Sequence, residues 1–147
     1  MLGNLNKGEI VALLENQVIG RLGCHSEGET YIVPINYIYH DNAIYAHSAK
    51  GKKLDMLRAN PEVCFQVDQI EDTFRWKSVI VWGKFEELQG EERQQAMQGI
   101  IHKIMPLTDA SSQGPSHGID PAERANIIVY RINIKEGTGR FEAHPDL

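Results

Sequence analysis

The chain has 147 residues, of which 41% are apolar and 24% charged. That is ordinary for a soluble globular protein and enough for one domain with a real core, taken here as residues 1–147. A net charge of −5 argues against a general nucleic-acid or anionic-membrane binder. No apolar run approaches the roughly 18 residues of a membrane helix, and the N-terminus lacks a signal-peptide core, so the expected location is cytoplasmic.

Asn6 followed by Glu9 reads as a capping box, and Ile10, Leu13 and Leu14 give a helical stripe behind it. Residues 17–24 read as a first strand, with Gly20 and Gly23 suggesting a bend or bulge. A turn at Ser26-Glu27-Gly28-Glu29 leads to a second strand over 30–39, and His40-Asp41-Asn42 leads to a third over 43–48. Three strands on short turns suggest an antiparallel meander. Pro34 lies within the second strand and cannot donate to a ladder, so this position is an edge, a bulge or a place where pairing is broken. A short helix follows and stops at Asn60-Pro61.

Residues 62–68 form a fourth strand, 69–76 a polar loop and 77–88 a long fifth strand. In the fifth, Ser78, Ile80 and Trp82 point one way while Val79, Val81 and Phe85 point the other. Both faces are largely apolar, so one suits a barrel interior and the other a helix or a second subunit; Gly83 marks a bend. Met97, Ile100, Ile101 and Ile104 stripe a helix over 91–105, residues 107–120 read as a loop, and 126–134 as a sixth strand. The tail from Gly137 has the character of a segment that pairs briefly or crosses to a partner. The expected architecture is mainly β with α: a small, closed, six-stranded antiparallel β-barrel decorated by helices.

The feature that points to function is a local excess of positive charge. Lys50, Lys52 and Lys53 surround Gly51 at the start of the short helix, where lysines are mildly unfavourable unless an anion sits among them. Free backbone N–H groups, a permissive glycine and two or three ammonium groups suit a phosphate; the alternative is a solvated basic turn. Other chemistry is missing. The six histidines contain no HxxH or HExxH pair, so no metal site is expected, and Cys24 and Cys64 have no CxxC spacing and read as reduced, packed thiols. There is no GxSxG elbow, Walker loop or GxGxxG fingerprint. Hard chemistry, if there is any, then belongs to a cofactor.

Three segments carry a resemblance: Tyr31-Ile32-Val33-Pro34-Ile35-Asn36-Tyr37; Tyr45-Ala46-His47-Ser48-Ala49-Lys50-Gly51-Lys52-Lys53-Leu54 with its exit Leu57-Arg58-Ala59-Asn60-Pro61; and Trp76-Lys77-Ser78-Val79-Ile80-Val81-Trp82-Gly83-Lys84-Phe85. In this order they resemble the FMN-binding split-barrel proteins, and among them the pyridoxamine 5′-phosphate oxidase-related, nitroimidazole-resistance (NimA-like) branch. The resemblance implies a six-stranded split barrel, a homodimer with FMN at the subunit interface, and a small-molecule electron donor and acceptor such as a nitro compound or quinone. It implies that Ser48, Lys52 and Lys53 hold the FMN phosphate. Val33, Pro34, Ile35 and Asn36 would line the isoalloxazine through backbone groups, and Ser78 would approach from the fifth strand. His47 would lie beside the flavin, either taking part in electron or proton transfer or only packing against the ring. The C-terminal Gly139-Arg140-Phe141-Glu142-Ala143-His144-Pro145-Asp146-Leu147 does not match the substrate segment of the oxidases proper, so vitamin B6 oxidation is not expected. The alternatives are a flavin carrier or sensor without turnover and, further off, a haem-binding split barrel.

Overall fold

The structure, a computed structural model, describes residues 1–107 and 126–144. Its elements run β1 (Leu2–Asn4), α1 (Lys7–Asn16), β2 (Ile19–Ser26), β3 (Glu29–Asn36), β4 (Ile38–His40), β5 (Ala43–Ser48), α2 (Lys52–Ala59), β6 (Glu62–Asp72), β7 (Arg75–Glu87), α3 (Gly90–Ile104), a 3-10 turn (Met105–Leu107) and β8 (Ile128–Glu142). All strand pairs are antiparallel, in the order β3-β2-β6-β7-β8-β5-β4, with β1 added on β8.

The fold class agrees with the sequence reading, but the described residues form eight strands instead of six. The second expected strand breaks at Tyr37. Its first half, β3, pairs with β2 at one end of the sheet, and its second half, β4, pairs with β5 at the other. The expected meander is therefore absent, and the chain itself crosses the seam between the two sheet ends. Tyr37 pins that crossing. It is fully buried, its N–H donates to Val18 O at 3.0 Å, its hydroxyl donates to Leu14 O at 2.7 Å, and its ring meets Phe65 edge-on at 4.8 Å.

Two further differences concern the second half of the chain. The expected polar loop at 69–76 is mostly strand, because β6 and β7 stay paired down to Asp72 and Arg75. The sixth expected strand continues through the tail as β8 and picks up β1 as a partner at Arg140–Glu142. Most of the expected loop at 107–120 lies outside the described residues.

The glycines of β2 have a different purpose from the one expected. Its register with β3 runs unbroken from Ile19 to Ser26, so neither Gly20 nor Gly23 marks a bulge. A Cβ on Gly20 would come within 2.2 Å of the Phe65 ring, so this glycine makes room for a core aromatic. Beside Gly83, where a bend was expected, the β7–β8 ladder shifts register: Trp82 pairs with Glu136 and Gly83 with Ile134, so the extra residue is Lys135 of β8.

Local signals explain the helices. Asn6 and Glu9 form the reciprocal capping box, with bonds of 2.9 and 3.0 Å, and Leu13 and Leu14 are buried behind it. Helix α3 buries Ala96, Met97 and Ile100 against Val129 and Leu88, forming a second cluster outside the barrel. The main core fills the barrel itself with Leu22, Ile44, Leu57, Phe65, Val67, Val79, Val81, Tyr130 and Ile132.

Candidate anion and cofactor site

Strand β5 ends at Ser48, and three residues later Gly51 caps α2 without any side-chain hydrogen bond to the helix start. The first amides of α2 therefore lack the side-chain acceptor that a Ser, Thr or Asp cap supplies. A Cβ built on Gly51 meets nothing within 4 Å, so the backbone there opens on free space. The Ser48 hydroxyl is buried beside it and donates to Ala49 O at 2.7 Å.

The structure separates the two lysines that the sequence reading treated alike. Lys52 is exposed, donates to Glu29 Oε2 at 2.9 Å and stands 5.0 Å from the centre of the Tyr31 ring. Lys53 is half-buried and makes no ion pair with any described residue. Burial pushes its ammonium pKa below the ordinary value, with a small opposing pull from Cys24. An ammonium held partly out of water without a counterion is costly, and it suits a place where an anion arrives.

His47 is the second half-buried group here, and its imidazole has no hydrogen-bond partner among the described residues. Burial, and secondarily the nearby Lys53 charge, lowers its pKa below the usual 6.5. The protonated form is thus disfavoured by folding. The neutral ring's contribution to stability is fully present above the unfolded value and is lost as pH falls through the lower folded value. His47→Gln should flatten the fall in thermal stability between pH 7 and 5. In ligand-free protein, the His47 ring-proton NMR titration should have its midpoint below the usual 6.5; a midpoint at or above that value would contradict this environment.

Cys24 completes the cluster on the β2 side. It is buried, its Sγ lies 3.6 Å from Tyr31 O, and burial pushes its thiol pKa up, which makes it unreactive. Both cysteines are free. Tyr31 and Cys24 were not singled out as site residues from sequence, although the tight Glu27-Gly28 turn sets them opposite each other.

Among the described residues β3 pairs with β2 alone and so is an edge strand, which also explains why Pro34 is tolerated there. Ile35 is buried in the core, Val33 half-buried, and Pro34 and Asn36 exposed. Ser78 is placed elsewhere. Its hydroxyl bonds Gln66 at 3.0 Å, and it is in register with Arg140 of β8, whereas Ser48 is in register with Ile128. At about 3.3 Å per residue, those points are about 40 Å apart along β8. One chain does not bring Ser78 to the lysine turn.

Residues 6–141 match the family described as pyridoxamine 5′-phosphate oxidase. The chain belongs to that family. An uncharacterised protein of Rhizobium meliloti (strain 1021) is 38% identical over 131 residues, covering 83% of each chain. The crystal structure of a protein described as FAD-binding, from Mesorhizobium loti, superposes with a TM-score of 0.81 at 33% identity, covering 97% of this chain and 99% of that one. A candidate 5-nitroimidazole antibiotic resistance protein from Bacteroides thetaiotaomicron superposes with a TM-score of 0.73 at 25% identity, covering 96% and 87%. This member of the oxidase family therefore shares its split barrel with a protein described as FAD-binding. No helix among its described residues is long and apolar enough to cross a membrane.

Proposed function

We propose that this chain binds FMN and acts in the cytoplasm as a flavin-dependent oxidoreductase toward small acceptors such as nitro compounds or quinones. The observation that carries the reading is Lys53: a half-buried ammonium without a carboxylate partner among the described residues, beside an uncapped helix start. This donor set fits a phosphate ester. Lys53 and the α2 amides would hold it, with Ser48 and Lys52 at its margin. The free edge of β3 at Val33, Pro34, Ile35 and Asn36 offers backbone groups for the rim of a flat ring. A bound flavin would supply reversible two-electron chemistry. His47, neutral and without a hydrogen-bond partner among the described residues, is suited to hold or pass a proton at its free ring nitrogen. Pyridoxamine phosphate oxidation is not part of the proposal, because the C-terminal segment lacks that substrate pattern.

Turnover separates an enzyme from a carrier or sensor. Flavin-loaded protein mixed anaerobically with a reduced nicotinamide cofactor should bleach, and the colour should return when a quinone is added. A flavin that stays oxidised with every donor would favour the carrier.

We also propose a homodimer. On the outer face of the sheet, Ile32, Gly23, Cys64 and Trp82 follow one another across four strands in register. In that row Ile32 is 66% and Trp82 41% exposed, and Ile70 and Leu2 lie further along the face at 66% and 57%. The Ile32–Trp82 row is an exposed apolar strip, separated from Ile70 and Leu2 by Arg21, Gln66, Asp68 and Ser78 on the same face, and an apolar strip rimmed by polar residues suits a partner surface. Such a dimer also gives Ser78, on the same face, a route to the partner's site. Trp82→Glu should convert the dimer to monomer at micromolar concentration, because a central aromatic is commonly worth about 2 kcal/mol or more to an interface. Sedimentation giving the wild-type mass for this variant would contradict the placement.

A further inference from the structure

Glu29 opens β3 immediately after a two-residue turn in which Glu27 and Gly28 have φ of 52° and 78°. That mirror-image turn geometry keeps a hairpin tight, and Ser26 and Glu29 pair directly across it. The position of Glu29 is thus set by backbone. Its carboxylate accepts from Lys52 Nζ at 2.9 Å, while the Tyr31 ring of the same hairpin stands 5.0 Å from that ammonium. Lys52 opens α2, so the pair ties the hairpin to the start of the helix. Two adjacent lysines are left in different states: Lys53 without a counter-charge among the described residues, Lys52 already matched to one.

We propose that Glu29 is a specificity-determining residue, which competes with a terminal phosphate for Lys52 and so sets how strongly this site favours a phosphomonoester over other flavin tails. The inference rests on the FMN reading above. A phosphomonoester carries close to two negative charges on one phosphorus and so gains from Lys52 as well as Lys53. An internal diphosphate spreads its charge over two centres, and a flavin with no phosphate needs neither lysine. Glu29 acts against the monoester twice, by occupying Lys52 and by direct repulsion across the same mouth. Both effects have the same sign. The pair is solvent-exposed, with the lysine 51% and the glutamate 57% accessible, so the competition is modest and falls with added salt.

The test is a titration of FMN, FAD and riboflavin into wild type, Glu29→Gln, Lys52→Ala and the double variant, at low and high salt. The amide keeps the side chain's shape and removes its charge. Glu29→Gln should bind FMN about three- to fivefold more tightly at low salt. The gain should be smaller for FAD and absent for riboflavin, and the FMN gain should shrink when Lys52 is already alanine. If FMN binds better than riboflavin but equally to wild type and Glu29→Gln, the competition is refuted while the phosphate site stands. Weaker FMN binding by Glu29→Gln would show that the glutamate positions Lys52 for the ligand, which also refutes it. If no flavin binds to any of the four proteins, the FMN reading falls and this inference falls with it.

Discussion

Lys53→Ala is expected to weaken FMN binding at least tenfold, about 1.4 kcal/mol, and Lys52→Ala to weaken it less. The difference follows from where the two ammonium groups sit. Lys53 is half-buried with no ion pair to a described residue, so a phosphate reaching it gains a charge-assisted hydrogen bond in a partly desolvated place. Such bonds are worth about 1.5–3 kcal/mol. Lys52 must first leave Glu29, and an exposed pair of that kind is worth about 0–1 kcal/mol. A second consequence distinguishes a binding residue from a structural one. Burial lowers the Lys53 pKa, so its charge is a burden on the ligand-free fold. Lys53→Met should therefore leave the thermal stability of ligand-free protein unchanged or higher, while flavin uptake falls. A variant that loses stability and keeps its FMN affinity would reverse the assignment.

Gly83→Ala should destabilise the fold by about 1–3 kcal/mol, read as a lower urea midpoint with an unchanged slope. A Cβ at this position would lie 2.3 Å from Asn133 O and 2.9 Å from the carbon of the same carbonyl. The obstacle is the backbone of the neighbouring strand, which cannot swing aside as a side chain can. The site also marks the register shift between β7 and β8, the two longest strands, so forcing them apart disturbs the pairing on which the barrel wall depends. Gly51→Ala is the matching control. Its φ of 171° is extended backbone and its added Cβ meets nothing, so stability should stay within about 0.5 kcal/mol of wild type. An unshifted midpoint for Gly83→Ala would mean that β7 and β8 lie further apart than described.

How much of this was legible in the sequence depended on whether the signal was local. The Asn6–Glu9 cap and the stripe of α3 are written in neighbouring residues, and each is present in the structure. The break at Tyr37 was not legible. Thr30 to Tyr39 reads as one β-rich strand, and only long-range pairing, with the bonds from Tyr37 to Val18 and Leu14, shows that its two halves belong to opposite ends of the sheet. Gly20 was misjudged for the same reason: its role is to leave space for Phe65, a residue distant in sequence. At the site, the lysine cluster was legible as an excess of charge at a helix start. Which lysine had a counter-charge was not, because Glu29 reaches Lys52 from a hairpin 23 residues away. Ser78 was given only by the family resemblance, and register puts its partner Arg140 twelve residues along β8 from Ile128, the partner of Ser48.

The central claim, that the start of α2 is built to receive a phosphate ester, is tested most directly by comparing the affinities of wild-type protein for FMN and for riboflavin under identical low-salt conditions. The two ligands share the ring and ribityl chain and differ only in the phosphate. FMN should bind at least tenfold more tightly, with the advantage falling as salt is raised; equal affinities, or no uptake of either, would contradict the account.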